Sequence, residues 1–356
     1  MAADPENSKV SNKDIQKYRG QLLAWYDLHR RDIPWRRKPG AASNPYHIWL
    51  SEIMCQQTTV QAVKAYYLKF LDLWPTVHDL AAAGQEDIMA AWAGLGYYAR
   101  ARNLHKCAQI VVTDFDGIFP NDQEELKKLP GVGDYTSAAI TAIAFNKPAT
   151  VVDGNVERVM SRLFAVEDPL PKSKKTLKAL AHRFYKTFAE RPGDLAQSFM
   201  DLGATVCIPK VPRCDKCPLN KGCIARTKGI QAKLPNKVKK GERLTRYGNV
   251  YWITNDTGDV LFHQRPNKGL LGGMIGLPTS NWEKEEQGLE HPEFLQNTKA
   301  GNLSVFHTFT HFDLELRLYR GELLDLNPDL FWSDPLKQSE KLPTVFRKAF
   351  DIVHIQ

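Results

Sequence analysis

The chain has 356 residues, 43% of them hydrophobic, a formal net charge of +8 and a pI near 9.0. This length predicts two domains, and the basic charge favours a polyanionic partner such as nucleic acid. No stretch approaches the roughly 20 apolar residues that cross a bilayer, so no membrane partner is expected. Residues 1–13 lack the apolar run of an export signal, which predicts a disordered leader and a bacterial cytosolic location.

Residues 14–224 carry the pattern of a mostly α-helical domain. Amphipathic segments of helical length alternate there with breaks rich in glycine and proline. These segments are Ile15–Leu28, Tyr46–Leu73, Glu124–Leu129, Tyr135–Phe145 and Lys175–Ala189.

Glu52 is an acidic residue in a largely apolar helical stretch, 49–58. A carboxyl group buried beside Trp49 and Ile53 resists ionisation, which suits a general acid. The alternative is an ordinary acid on the polar face of the helix.

Residues 129–133 read Leu-Pro-Gly-Val-Gly and precede an apolar helix that ends near residue 145. Gly131 and Gly133 allow a close backbone approach, and the open amide groups at the helix start can bind a phosphate. A simple tight turn between two helices is the alternative. Asp153 follows a buried β-branched pair and directly precedes Gly154, which favours a helix N-cap.

Four of the six cysteines fall within one short segment, 207–223. They are Cys207, Cys214, Cys217 and Cys223, spaced C-x6-C-x2-C-x5-C. Four thiolates on one loop without a histidine favour an iron–sulfur cluster over zinc, with a structural role preferred to electron transfer. Cys55 and Cys107 are interpreted as small buried residues without a function.

A basic linker is predicted over 225–245, where eight Lys or Arg residues between positions 226 and 246 accompany a single acid. Such a segment is a solvated linker that can also lie along DNA. Beyond it, 246–356 shows strand-like alternation, including Phe312–Tyr319 and an expected hairpin formed by Val250–Thr254 and Val260–Gln264. The second domain is therefore expected to be a smaller α+β fold.

Taken together, the glycine hairpin (129–145), the Val-Val-Asp-Gly-Asn-Val segment and the cysteine loop resemble the helix-hairpin-helix superfamily of DNA glycosylases in its iron–sulfur branch. Relatives that excise oxidised pyrimidines carry a lysine where this chain has Tyr135, so no Schiff-base lyase activity is expected. The segments 34–36, 51–58 and 94–100 instead resemble the adenine glycosylases of the MutY type.

This resemblance implies a monomeric enzyme that holds a [4Fe–4S] cluster on the four cysteines. Its implied substrate is duplex DNA with adenine opposite 8-oxoguanine or guanine, from which it would cleave the N-glycosidic bond. Glu52 would protonate the base at N7, Tyr135 would hold that carboxyl group, Asp153 would stabilise the cationic sugar, and Asn155 would support Asp153. The DNA and base contacts implied are Gln57 and Tyr97 as inserted side chains, Gly131 and Gly133 at a phosphate, and Arg31, Trp35 and Gln197 around adenine.

The C-terminal domain resembles a Nudix domain in its stretch 270–278, but the acidic metal-binding helix of active Nudix hydrolases does not follow. It is therefore interpreted as a binding module. Phe309, Thr310 and His311 resemble the family loop Phe-Ser-His that reads 8-oxoguanine, with threonine in place of serine.

Three alternative functions remain open at this point. The first is a mismatch thymine or uracil glycosylase on the same scaffold, which the Phe309–His311 segment disfavours. The second is a non-catalytic iron–sulfur DNA-binding or redox factor. The third is a Nudix-type hydrolase with a helical appendage, which the missing metal-binding helix disfavours.

Overall fold

A computed structural model describes residues 10–37, 43–238, 241, 243–266, 269–286 and 290–354. Most of the expected leader, residues 1–9, and three residues of the expected linker, 239, 240 and 242, lie outside the described part. In the part described, no helix is both long and apolar enough to cross a membrane.

Fourteen α-helices occur among the described residues. They are α1 (Asn12–His29), α2 (Pro45–Cys55), α3 (Val60–Leu73), α4 (Val77–Ala82), α5 (Gln85–Ala91), α6 (Ala99–Phe115), α7 (Gln123–Lys128), α8 (Asp134–Ile143), α9 (Gly154–Leu163), α10 (Lys174–Tyr185), α11 (Pro192–Thr205), α12 (Ile224–Thr227), α13 (Pro335–Ser339) and α14 (Thr344–His354). The predicted mostly helical region is confirmed.

The predicted continuous segment Tyr46–Leu73 is wrong, because it forms the two helices α2 and α3. Gln57 takes a left-handed backbone conformation (φ 57°), which a continuing helix cannot accommodate. Thr59 then caps α3 by accepting a hydrogen bond from the amide of Ala62 at 3.4 Å. The break places Gln56 and Gln57 in a turn beside the end of α2.

Six strands form two three-stranded sheets in the described residues. They are β1 (Leu244–Trp252), β2 (Val260–Gln264), β3 (Ile275–Gly276), β4 (Leu295–Thr308), β5 (Phe312–Leu323) and β6 (Leu330–Ser333), in the orders β1-β5-β4 and β3-β2-β6. The predicted strand Phe312–Tyr319 is confirmed within β5, where Leu314, Leu316 and Leu318 are buried.

The predicted hairpin between β1 and β2 is correct only next to its turn. Thr254 and Val260 form an isolated bridge, and Leu261 donates to the carbonyl of Ile253 at 3.0 Å. Beyond these residues the two strands separate into different sheets, since β1 pairs in parallel with β5 while β2 pairs with β3 and β6.

Backbone contacts divide the chain into two compact units. The helical unit comprises Met1–Ala83 and Asn103–Lys239, and the C-terminal unit comprises Gly84–Arg102 and Lys240–Gln356. The segment Gly84–Arg102 therefore packs with the C-terminal residues, although it lies within the region expected to be the helical domain. The domain boundaries inferred from the sequence, at residues 13, 224 and 245, stay a prediction.

Candidate active site

A cavity of about 640 Å³ opens in the helical unit. Eight of the predicted site residues line it: Arg31, Trp35, Glu52, Gln57, Tyr135, Asp153, Asn155 and Gln197. They come from the α1–α2 connection, α2 and the turn after it, α8, the start of α9, and α11. The fold thus gathers groups that are up to 166 positions apart in the sequence around one space.

Glu52 lies on α2, and loss of solvation raises the pKa of its carboxyl group to about 7. The negative charge of Asp153 acts in the same direction. The Tyr135 hydroxyl donates a hydrogen bond to the carboxyl group, and this bond and the charge of Arg36 partly oppose the shift. A carboxyl group with a pKa near 7 can give up or accept a proton at neutral pH.

Asp153 is the N-cap of α9, as its position before Gly154 predicted. Its carboxylate accepts a hydrogen bond from the Val156 amide at 2.7 Å and another from Asn155 Nδ2 at 2.8 Å. The positive end of the helix dipole also attracts negative charge at this point. These contacts fix the orientation of the Asp153 carboxylate at the start of α9.

Arg158 fixes the far side of Asn155. It donates to Asn155 Oδ1 at 2.7 Å, to the carbonyl of Gly203 at 2.7 Å and to the carbonyl of Cys207 at 2.7 Å. Gly203 is required here, because a Cβ would lie 2.5 Å from Asn155 Cβ. The Asp153–Asn155 pair is consequently held by α11 and by the start of the cysteine segment.

Asp201 on α11 is a site residue that the sequence did not identify. Its side chain is fully buried, and it binds Arg31 Nε at 2.6 Å and Arg36 through two bonds of 2.7 and 2.9 Å. Burial alone would raise the pKa of Asp201, but the two guanidinium groups outweigh it and hold that pKa below its usual range. A single carboxylate therefore fixes both arginines beside the cavity.

Gln197 lies one helical turn before Asp201 and donates to the carbonyl of Gly193 at 3.3 Å. Trp35 is buried and meets the Tyr67 ring edge-on, with centroids 5.1 Å apart. Arg31 Nε is held by Asp201. These three residues, expected around adenine, all line the cavity.

The glycine hairpin joins α7 to α8 as predicted. Gly131 has φ +78° and lies where a Cβ would meet Asn103 Cβ at 3.1 Å, while Gly133 caps α8 without a side-chain hydrogen bond. Both glycines are exposed. The first amide groups of α8 therefore face outward with the positive end of the helix dipole, where a phosphate can bind. Gln56 links the hairpin to α2 by donating to the Gly131 carbonyl at 3.3 Å.

The four clustered cysteines follow α11 and precede α12, around two short 3₁₀ turns. Cys207 lies close enough to Cys214, Cys217 and Cys223 for a negative charge on its sulfur to act on each of these three thiols. Arg162 donates to Cys207 Sγ at 3.3 Å and to the Ile208 carbonyl at 2.8 Å. Among the described residues, no three His, Cys, Asp or Glu side chains stand together in metal-ion geometry.

The remaining predicted residues belong to the C-terminal unit. Thr310 and His311 form the exposed tip of the β4–β5 hairpin, where the Phe309 amide donates to the Phe312 carbonyl at 2.9 Å. Tyr97 is 47% exposed and has φ 49°, and its hydroxyl lies 2.5 Å from Thr310 Oγ1. The predicted inserted residue Tyr97 and the predicted reader loop are therefore direct neighbours.

Sequence reasoning missed Arg36, Arg158 and Asp201. Arg36 was part of a segment that carried the resemblance, and its position directly after a predicted pocket tryptophan was an available signal. Asp201 and Arg158 gave no local signal, since an acid or a base within a helix usually faces solvent.

Two family models match the chain. The HhH-GPD superfamily of base excision DNA repair proteins matches residues 50–186, and a NUDIX domain matches residues 249–351. The first covers the hairpin and the acidic residues that line the cavity, and the second covers both sheets except the first five residues of β1.

Several curated relatives are adenine DNA glycosylases. The Homo sapiens protein is 36% identical, with 86% of this chain matched to 67% of the relative. The protein of Buchnera aphidicola from Acyrthosiphon pisum is 33% identical and covers 83% of both chains. The Mycolicibacterium smegmatis protein is 39% identical over 60% of this chain and 70% of its own.

Solved structures resemble about three fifths of the chain. A thermostable thymine-DNA glycosylase aligns with a TM-score of 0.54 and 31% identity, covering 61% of this chain and 98% of its own. A non-covalent endonuclease III–DNA complex aligns with a TM-score of 0.50 and 25% identity, covering 62% and 99%.

Proposed function

Since this chain belongs to the adenine DNA glycosylase family, we propose that it excises adenine opposite 8-oxoguanine or guanine through the paired action of Glu52 and Asp153. The family establishes an enzyme of base excision repair that acts on N-glycosidic bonds in DNA. The partner base, the residues and their roles are the proposal. An adenine inside a duplex is out of reach, so it must first leave the stack and enter the cavity.

Glu52 is proposed as the general acid that protonates adenine at N7. Adenine is a poor leaving group until it is protonated. Because the pKa of Glu52 is about 7, this carboxyl group is protonated in a large fraction of the molecules at neutral pH. The Tyr135 hydroxyl holds this carboxyl group in place through its hydrogen bond. Tyr135 has no amine, so the reaction is hydrolysis without a Schiff base.

Asp153 is proposed to stabilise the oxocarbenium-like sugar that forms as the C–N bond breaks. Its carboxylate is oriented by the Val156 amide and by Asn155, so it requires little reorganisation during the reaction. Two carboxyl groups in contrasting environments thus divide the acid role from the electrostatic role.

Arg31, Trp35 and Gln197, which line the cavity, are proposed to receive the extruded base, and Gln57 and Tyr97 to fill the space that the base leaves in the stack. Gln57 lines the cavity from the exposed turn after α2, in a left-handed conformation that separates it from the helix. Gly131 and Gly133 would bind a phosphate at the start of α8.

Phe309, Thr310 and His311 are proposed to recognise 8-oxoguanine opposite the adenine. The two-residue tip places Thr310 and His311 in solvent, where their hydrogen-bonding groups can reach a base edge. Threonine retains the hydroxyl group that the family's serine provides.

The four cysteines are proposed to hold a [4Fe–4S] cluster. The donor set fits, because it consists of four thiol groups on one short segment, with Arg162 donating to Cys207 Sγ. The cluster would supply a covalent brace for this segment. The chain's own contribution is Arg158 and Arg162, which connect α9 to the segment through the Cys207 carbonyl. A monomeric state and a bacterial cytosolic location stay predictions.

The observation that carries this proposal is the pairing of Glu52, with its raised pKa, and the N-cap carboxylate Asp153 around one cavity. Single-turnover excision tests it, using duplexes with A opposite 8-oxoguanine, A opposite G, T opposite G, and thymine glycol. Glu52→Gln and Asp153→Asn are each expected to slow adenine excision by about 10²–10⁴-fold while duplex binding persists.

The outcomes separate the alternatives. Normal turnover by either variant contradicts the assigned roles. Removal of thymine from T opposite G would favour the mismatch thymine glycosylase, a possibility raised by the structural neighbour of that activity. Tight duplex binding without any excision would favour a non-catalytic factor.

A further inference from the structure

The tip of the β4–β5 hairpin rests on three aromatic rings. Phe309 and Phe312 flank the tip, with ring centroids 5.0 Å apart and planes at 33°. Trp282 packs against both, with its ring centroid 5.7 Å from that of Phe309 and 6.4 Å from that of Phe312. We call Trp282, Phe309 and Phe312 the aromatic base of the tip.

Two arginines cover the ends of this base. The Arg265 guanidinium lies 5.5 Å from the Trp282 ring centroid, and the Arg246 guanidinium lies 4.7 Å from that of Phe312. Cations over aromatic faces are attracted by the ring quadrupole, more strongly where water is partly excluded. Arg265 is partly buried, and desolvation lowers its pKa, so its contact with Trp282 forms in such an environment.

Trp282 itself is fixed from behind. The neighbouring residue Glu283 exchanges two backbone hydrogen bonds with Tyr247 on β1, at 2.8 and 2.9 Å. Gly248 on the same strand leaves room for the indole, since a Cβ there would lie 2.7 Å from Trp282 Cδ1 and 3.0 Å from Leu316 Cδ2. Contacts with β1, outside the tip, therefore help to fix the position of Trp282.

We propose that Trp282 is a positioning residue for 8-oxoguanine recognition, which holds Phe309 and thereby fixes the Thr310–His311 tip before DNA binds. This inference rests on the proposed function of the tip. A flexible two-residue tip would have to be ordered when it meets the base, and a rigid aromatic base removes part of that entropic cost. Aromatic pairs of this kind contribute enough to change an equilibrium by roughly three- to tenfold.

The test compares variants by the ratio of single-turnover excision rates for A opposite 8-oxoguanine and A opposite G. Trp282→Leu removes the ring, whereas Trp282→Phe keeps an aromatic face. Trp282→Phe loses no hydrogen bond within the described residues, because the indole N–H has no partner there. Gly248→Ala crowds the indole without substituting any residue of the tip. Trp332→Leu is the matched control, since Trp332 packs in a different cluster of the same unit.

We expect the ratio to fall roughly three- to tenfold in Trp282→Leu and Gly248→Ala, and to be retained in Trp282→Phe and Trp332→Leu. Phe309→Ala serves as the reference for loss of the reader. Thermal unfolding of each variant checks that the C-terminal unit is folded, because loss of its structure would itself remove the reader and lower the ratio.

The failures are distinguishable. If Phe309→Ala lowers the ratio but Trp282→Leu and Gly248→Ala do not, the positioning role is wrong while the proposed reader stands. An equal slowing of both duplexes by Trp282→Leu, or no rescue in Trp282→Phe, also overturns it. If Phe309→Ala leaves the ratio unchanged, the proposed function of the tip itself is wrong.

Discussion

The cavity of the helical unit and the hairpin tip of the C-terminal unit solve the problem of positioning functional groups in opposite ways. In the cavity, charged groups are buried or half-buried and are oriented by other charges, as Asp201 orients Arg31 and Arg36. At the tip, Thr310 and His311 are exposed, and their support is aromatic. Chemistry that requires a shifted pKa needs burial, whereas reading a base edge needs access to solvent and DNA.

The difference has an energetic consequence. Buried charges are costly unless each has its partner, so removing one partner in the cavity should be severe. Contacts between exposed or half-buried groups at the tip are individually weak, because water competes for them. The effects of substitutions in the two regions should therefore differ in magnitude, and the following measurements test this difference.

The largest effect is expected for Asp201→Ala. This change leaves Arg31 and Arg36 without their shared carboxylate, and the side chain of Arg36 is only 4% exposed. Removing one member of a buried ion pair costs about 3–5 kcal/mol of folding free energy. Urea denaturation measures this loss. Adenine excision should fall with it, because Arg31 and Arg36, which line the cavity, are no longer held in place.

The matched control is Asp168→Asn, which breaks the exposed pair of Asp168 and Lys172, 58% and 76% exposed. Its cost should not exceed about 1 kcal/mol. Comparable losses in the two variants would contradict the view that burial makes the Asp201 cluster decisive.

Asp201 also shows where prediction from sequence ends. Glu52 and Asp153 were found because local patterns mark them: an acid in an apolar helix, and an aspartate before a glycine at a helix start. The paired arginines and Asp201 are about 170 residues apart, and their contact exists only after α11 packs beside the α1–α2 connection. The helical region and β5 were likewise predictable from periodicity. The division of β1 and β2 between two sheets depends on the distant strands β5 and β6, which no local pattern reveals.

An intermediate effect is expected for the stability of Glu52→Gln, and its size depends on pH. The pKa of Glu52 is about 7 in the fold against an ordinary value of 4.5, so the folded state retains a proton that the unfolded chain has released between these values. The stability associated with this group is therefore complete below pH 4.5 and declines until pH 7. Glutamine stays neutral, so Glu52→Gln should exceed the parent by about 1–3 kcal/mol at pH 8 and match it near pH 4.5.

Urea denaturation at several pH values measures this difference, and Glu340→Gln, an exposed glutamate at the end of α13, is the control. If the free energy of unfolding of Glu52→Gln does not rise relative to that of the parent between pH 4.5 and 8, Glu52 is solvated in the folded protein. The same pKa predicts that excision by the parent slows as pH rises through about 7, because the general acid loses its proton.

The smallest effect is expected at the contact of Tyr97 with Thr310. Their hydroxyl oxygens lie 2.5 Å apart, but both side chains are exposed, so water replaces the bond when either group is removed. In a double-mutant cycle with Tyr97→Phe and Thr310→Val, the coupling free energy should stay below about 1 kcal/mol. Thr310→Ser keeps the hydroxyl group and should retain the coupling to Tyr97. A coupling above about 2 kcal/mol would mean that the tip is held by polar contacts as strongly as the cavity is held by its charges, and the contrast between the two regions would no longer stand.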